Sequence, residues 1–358
     1  MPYRAFMLDE LKRNLPNRAD ARVMESGAGA LVLTTYGARA IGLFPDTSYP
    51  NVLWNHEQIG GQIEGGRWLT GGERLWIAPE RNFYYENPRD FDGFHVPSGF
   101  DPGTYESDGN GGYRNEFSLL DLSTNEVYDG SVSQRRFAPL DDPYGSGLPY
   151  TGARIHDSIT VPTDSLEYCA WTISMVYTCG SPNPGTAFFP IKPGGELLNY
   201  FDPIPAERAE VRDGYARFRI DGEAVYKLAI APSDMVMDTP CKSVYVSPYP
   251  AGDRWFCIVK RGNRVALTQD GCVDIPKSDP DGRRGIIQSY NHGPTDGPIE
   301  DVPFGEIELQ LPRAEPREER LVSEATHELL AYAGTRDEML ELARTALQVE
   351  EMPLAYGD

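Results

Sequence analysis

Between about residues 22 and 312, hydrophobic positions come in short runs rich in β-branched and aromatic side chains, separated by clusters of Gly, Pro, Asp and Asn. Eleven such runs predict strands at 30–36, 40–44, 116–121, 154–161, 167–177, 215–220, 226–230, 243–249, 255–260, 285–290 and 306–311. No amphipathic helix separates them, so the pattern predicts an antiparallel sandwich or barrel rather than a parallel α/β sheet. Only the two ends carry helical spacing. Residues 7–15 form a short candidate. Residues 317–333 place Leu321, Val322, Ala325, Leu329 and Ala333 three and four apart, with Gly334 as a C-terminal stop. Thr335 then reads as an N-cap, with Glu338 completing a capping box ahead of Met339, Leu340, Ala343, Ala346 and Leu347. The expectation is a β domain over 1–313 followed by a helical hairpin over 314–358 that packs on a sheet face or mediates self-association. His327 would then be a helix-surface residue.

Residues 45–112 break this regularity. Turn signals run throughout, yet the stretch holds Trp54, Trp68, Trp76, Phe83, Tyr84, Tyr85, Phe91, Phe94 and Phe100. Such rings are costly to expose, so they either close an open end of the sandwich or line a cleft where flat faces stack on sugar rings.

The 358 residues carry a net charge of −21, with 33 basic and 54 acidic residues. No basic face offsets this, since Arg283-Arg284, Arg135-Arg136 and Lys12-Arg13 are isolated pairs; nucleic acid and anionic membranes are excluded as expected partners. From Glu300 onward there are 15 acidic and 5 basic residues, so much of the charge belongs to the expected helical tail. Five cysteines without a CxxC pair suit a reducing compartment, and no apolar leader or span is visible, so a soluble cytoplasmic protein is expected. GxGxxG after a strand, GxxxxGK[ST], HExxH and GxSxG are all absent, and Asp279-Pro280-Asp281-Gly282 lacks the Glu of a calcium loop. No cofactor and no metal are expected.

Six segments, in order, carry a resemblance. They are the hairpin around Tyr36-Gly37-Ala38-Arg39-Ala40, the run Gly71-Gly72-Glu73-Arg74-Leu75-Trp76-Ile77-Ala78-Pro79-Glu80, and the Ala170-Trp171-Thr172 strand. Tyr226-Lys227-Leu228, Ser289-Tyr290-Asn291-His292-Gly293 and Gly305-Glu306-Ile307-Glu308-Leu309-Gln310-Leu311-Pro312 follow. Together they resemble the galactose mutarotase-like superfamily, in particular its uncharacterised bacterial members, over residues 22–313. The resemblance implies an all-β supersandwich of two large, mostly antiparallel sheets with sugar bound in a cleft on one face. In the aldose 1-epimerases of that group, a Glu near the last strands takes the anomeric hydroxyl proton and a His protonates the ring oxygen.

Glu308 is the position matched to that Glu; a carboxylate against a sheet wall has a raised pKa and takes a proton near neutrality. Glu306, two residues away, shares its face. The "N-H-x-Y-F-N" segment of the epimerases is missing, which leaves His292 as the acid, with Asn291 beside it and His156 as the next candidate; His56 and His95 lie in the aromatic stretch. Arg74 is the orienting cation, its fork suited to vicinal hydroxyls or a carboxylate, with an ion pair to Glu73 or Glu80 as the competing reading. Lys227 faces either the cleft or water. Trp76 and Trp171 supply stacking surfaces. Glycoside cleavage, which needs two carboxylates across the bond, would use Glu80 with Glu308. The expected function is thus acid/base chemistry on a carbohydrate at or near the anomeric carbon, as an epimerase, hydrolase or lyase; the alternative is a non-catalytic sugar-binding module.

Overall fold

The computed structural model describes residues 5–236, 241–295, 297 and 299–357. Among these, two large antiparallel sheets stack face to face. The first has nine strands, in the spatial order Arg22–Ser26, Gly29–Leu33, Ala40–Phe44, Glu73–Ala78, Cys169–Val176, Phe304–Arg313, Ile287–His292, Tyr226–Ile230 and Leu198–Asn199. The second has eleven. Its path runs Ala209–Val211, Tyr215–Ile220, Gly185–Pro190, Cys241–Pro248, Trp255–Gly262, Arg320–Gly334, Tyr150–Val161, Glu126–Pro139, Gly112–Asp121 and Glu106–Ser107, with Glu315–Arg317 paired to Arg320–Gly334. Each of the eleven runs read from the sequence contributes a strand, and the all-β supersandwich is the architecture observed.

Burial explains the patterns. Gly112–Asp121 alternates buried and exposed positions because one face meets solvent. Cys169–Val176 and Cys241–Pro248 are buried throughout, being covered on both faces. Gly71 and Gly72 adopt positive φ (96° and 83°), and a Cβ there would meet the Trp54 and Ala40 carbonyl oxygens at 2.0 and 2.6 Å. Only glycine lets the chain enter the Glu73–Ala78 strand so close to its neighbours.

The tail differs from expectation. Residues 320–334 form a 15-residue strand, not a helix, lying centrally in the second sheet and pairing with Tyr150–Val161 on one side and Trp255–Gly262 on the other. Leu321, Ser323, Ala325, His327 and Leu329 turn inward, while Val322, Glu324, Thr326 and Glu328 turn outward, a period of two. The helical spacing was incidental to a run rich in Ala and Leu. A helix here would leave the facing edges of Tyr150–Val161 and Trp255–Gly262 without backbone partners, whereas a strand pairs with both. The β domain therefore continues past 313, and His327 is buried.

Arg336–Leu347 is the helix that remains of the expected hairpin, started by the Thr335/Glu338 capping box. Its Met339, Leu340, Leu342, Ala343, Ala346 and Leu347 pack on Phe188, Val244, Val259 and Leu330 of the second sheet. Of the two uses expected for its apolar face, docking on a sheet and self-association, docking is the one observed. Near the N-terminus, the expected helix is present as Leu8–Asn14. The five cysteines are free thiols, and among the described residues no helix is long and apolar enough to cross a membrane.

Between the sheets lies a charged layer. Glu73, facing inward from the first sheet, meets Lys260 Nζ at 2.8 Å and Arg135 Nη2 at 3.4 Å, and it accepts hydrogen bonds from the Thr172 and Ser174 hydroxyls. Arg135 also grips Asp157 (2.8 and 3.0 Å), which His327 Nε2 contacts at 2.9 Å. Burial would raise the Glu73 carboxyl, but Lys260, His327 and Arg135 outweigh it and hold it down at about 2. Glu73 and Arg74, adjacent in sequence, point to opposite faces of one strand: one to this layer, the other to the cleft.

Candidate active site

The outer face of the nine-stranded sheet floors a cavity of about 1020 Å³. Strand register sets that floor. Arg74, Ile173, Glu308 and Gln288 share one row across four strands; Trp76, Trp171 and Gln310 form the next. On the other side lie Met175, Glu306, Tyr290 and Lys227. The walls come from outside the sheet. Trp68 and the small hairpin Tyr85–Asn87/Asp92–Phe94 stand on one side, Phe201 and Lys277 on the other.

Two ion-paired units occupy the floor. Arg74 Nη2 binds Glu306 Oε1 at 2.8 Å, and its guanidinium lies over Trp76 (4.1 Å) and Trp68 (5.2 Å). Its partner is thus neither Glu73 nor Glu80. Lys227 Nζ meets Glu80 Oε2 at 3.0 Å and Glu308 Oε2 at 3.5 Å, over the Trp171 ring at 4.4 Å. Asp274 supports this unit from below, accepting from the Glu80 amide (2.8 Å) and Gln288 Nε2 (2.9 Å). Trp76 donates Nε1–H to Asp101 at 2.6 Å, and Arg39 Nη2 holds both Asp101 oxygens (2.6 and 2.7 Å). That fixes the ring with its face toward the cavity.

Four carboxyls against two cations shift the protonation equilibria. Burial raises Glu308 foremost; Lys227 opposes this and Glu306, Glu80 and Asp274 reinforce it, bringing the group to about 8. Glu306 and Asp274 are raised for the same leading reason, against the pull of Arg74 and Lys227 on the first and of Lys227 on the second. Burial alone would lower Lys227, but Glu308, Glu80 and Asp274 raise it, so it stays an ammonium.

Several buried polar atoms on this floor have no hydrogen-bond partner within the protein: Arg74 Nε, Trp171 Nε1, Gln288 Oε1, Gln310 Nε2 and both Glu308 oxygens. Unsatisfied groups this concentrated mark a place where something else completes the bonding.

His292 ends the strand Ile287–His292, and both ring nitrogens are engaged. Nε2 contacts the Glu300 carbonyl oxygen at 3.1 Å, and Nδ1 contacts the Tyr290 hydroxyl at 2.8 Å. A carbonyl only accepts, so Nε2 carries the proton, and Tyr290 donates to a bare Nδ1. Burial lowers the His292 pKa despite the Glu300 carbonyl, keeping the ring neutral.

Arg74, Trp76, Glu80, Trp171, Lys227 and His292 all line the cavity, and Glu308 lies just beneath, fully buried. Two expected residues do not belong. Asn291 faces the opposite way and spends its amide on the Asp221 and Gly222 backbone and the Ala224 carbonyl. His156 lies on the exposed face of the other sheet, beside Thr326 (3.3 Å) and Glu324 (3.9 Å). His56 holds Glu300 at 3.2 Å, and neither it nor His95 lines the cavity. Sequence reasoning passed over Tyr290, legible by its two-residue step from His292, and Asp274, which sits in coil without any periodic signal. Glu80 and Glu308 grip one ammonium rather than facing each other across open space. That leaves no room between them for a scissile bond.

No family model and no curated protein matches the chain. Among solved structures, it is similar to a galactose mutarotase-like protein from Lactobacillus casei ATCC 334, with 12% identity, TM-score 0.45, and 87% of this chain and 99% of that chain covered. It is likewise similar to the Slr1438 protein of Synechocystis sp. PCC 6803, with 10% identity, TM-score 0.45, and 94% and 100% covered. A candidate aldose 1-epimerase from Klebsiella pneumoniae gives 11% identity, TM-score 0.42, and 94% and 88% covered.

Proposed function

We propose that the chain binds a carbohydrate in this cleft and acts on it by acid/base chemistry at or near the anomeric carbon. The observation that carries the reading is the combination of aromatic faces (Trp68, Trp76, Trp171) with the unpartnered donors Arg74 Nε and Trp171 Nε1 in the cavity lining and the unpartnered acceptors Gln288 Oε1 and Glu308 Oε1 on the strands beneath. A polyhydroxylated ring offers apolar C–H faces to the former, and hydroxyls that both donate and accept to the latter.

In this reading Tyr290 receives a substrate hydroxyl proton as its own proton passes to His292 Nδ1. The Glu306/Glu308 pair, which shares a raised affinity for protons, delivers one to the ring oxygen. The ring C–O bond opens to the aldehyde, and reclosure on the other face returns both protons. His292 acts through Tyr290 as a positioning residue and proton acceptor. Arg74 holds Glu306 and presents its free Nε–H to a hydroxyl. Epimerisation suits this floor better than hydrolysis, given the placement of Glu80 and Glu308.

A non-catalytic binding module is the second reading, favoured by the full engagement of both His292 nitrogens within the protein. Calorimetry on a panel of aldoses and short oligosaccharides, with polarimetric anomer interconversion, separates the two. Loss of turnover with retained affinity in Glu308→Gln and Tyr290→Phe supports the enzyme. Binding by the wild type without turnover supports the module, and absence of binding ends both readings.

A further inference from the structure

The charge inventory of the cleft narrows the kind of sugar it takes. Glu80, Asp274, Glu306 and Glu308 gather around Arg74 and Lys227, and both cations are already spent: Arg74 on Glu306 and two Trp faces, Lys227 on Glu80, Glu308 and a Trp face. An acidic cluster alone identifies nothing. Here a second feature accompanies it: the Glu308 carboxyl is fully buried, its Oε1 without a hydrogen-bond partner and its Oε2 no nearer than 3.5 Å to Lys227 Nζ, beneath a large cavity whose wall adds Tyr85, Phe91 and Phe94.

Resting on the reading of this cavity as a sugar site, we infer that its ligand carries a basic nitrogen: the substrate is an amino sugar. Its ammonium completes the pairing of Glu306 and the carboxyls behind it. Aromatic faces around the opening favour the same charge. Arg74 Nε and Trp171 Nε1 remain for ring hydroxyls, as in the general reading. A uronate or sugar phosphate would bring a further acidic group to a floor whose two cations, Arg74 and Lys227, are both engaged, and Lys277 stands at the wall rather than among the carboxyls. Since the carboxyl set holds a proton in the empty cleft, entry of an ammonium displaces one to solvent. Arg74, Lys227, Asp274, Glu80 and Tyr290 are the charged and titratable groups that face the pair.

The test compares one ring in three charge states at pH 7: glucosamine, glucose with N-acetylglucosamine, and glucuronate, together with the galacto series, by calorimetry in two buffers of different ionisation heat. The amino sugar should bind roughly tenfold or more tighter than its neutral counterparts, as a charge-assisted bond exceeds a neutral one. The uronate should bind weakest, and the heats should differ between buffers by the release of a proton. Glu306→Gln should bring the ratio of amino-sugar to neutral-sugar affinity down to about one, and a ratio unchanged from wild type overturns the inference. Equal or better binding of neutral or anionic rings, or heats independent of buffer, overturns this inference and leaves the proposed function standing. Silence from every sugar removes both.

Discussion

Glu308 offers a direct test of the buried floor. Replacing it with Gln keeps the shape and removes the ionisation. The carboxyl rises from 4.5 unfolded to about 8 folded, so between these values the folded state binds more protons than the unfolded state, and stability falls as pH rises. At about 1.4 kcal/mol per pH unit, the full loss above pH 8 is about 5 kcal/mol, and at pH 7 it is about 3 kcal/mol. The Gln variant escapes that loss. Urea denaturation at intervals from pH 4 to 9 should give wild-type and variant curves that nearly meet at the acid end and diverge through the window, with the variant the more stable of the two at pH 8 to 9. Parallel curves across the window would falsify the placement of Glu308 as a buried, proton-holding carboxyl. A variant less stable than wild type at pH 9 would show instead that Lys227 depends on Glu308 more than on Glu80.

The layer between the sheets behaves oppositely. Arg135→Leu strands Asp157 and Glu73 among buried groups and should cost about 3–5 kcal/mol in chemical denaturation; a loss under 1 kcal/mol would mean the layer is hydrated. Because Glu73 is held at about 2, its contribution is present above pH 4.5 and disappears as pH falls toward 2, so Glu73→Gln should flatten the acid limb of the stability curve. Arg74→Lys keeps a positive charge but loses the second nitrogen and the flat stacking surface, and sugar affinity should drop about tenfold or more by calorimetry; unchanged affinity would remove Arg74 from the binding site. Thr335→Ala removes the cap of the C-terminal helix and should cost about 1 kcal/mol, read from the denaturation midpoint. His156→Ala should leave ligand affinity as in wild type, since that side chain lies on the exposed face of the other sheet.

What the chain announced locally, it announced well. The strands declared themselves by β-branched runs between turn residues, and the capping box by a Thr–Glu spacing of three, because each depends on neighbours within a few positions. Alternation also placed Glu306 with Glu308 on one face. The 320–334 strand was the failure, and an instructive one: Leu and Ala at mixed spacings satisfied both periods. Only the two strands waiting on either side decided between them. The cleft shows the same division. Residue types such as Arg74, Trp76, Lys227 and Glu308 were readable as chemistry, yet which carboxyl Arg74 grips, which nitrogen of His292 bears its proton, and whether His156 or Tyr290 reaches the cavity depended on register between strands distant in sequence. Composition and periodicity thus determined a β-rich chain with aromatic and acidic material to spare. Long-range pairing alone gathered four of those acids around two cations, because burial and mutual charge act through space and leave no mark on the order of residues.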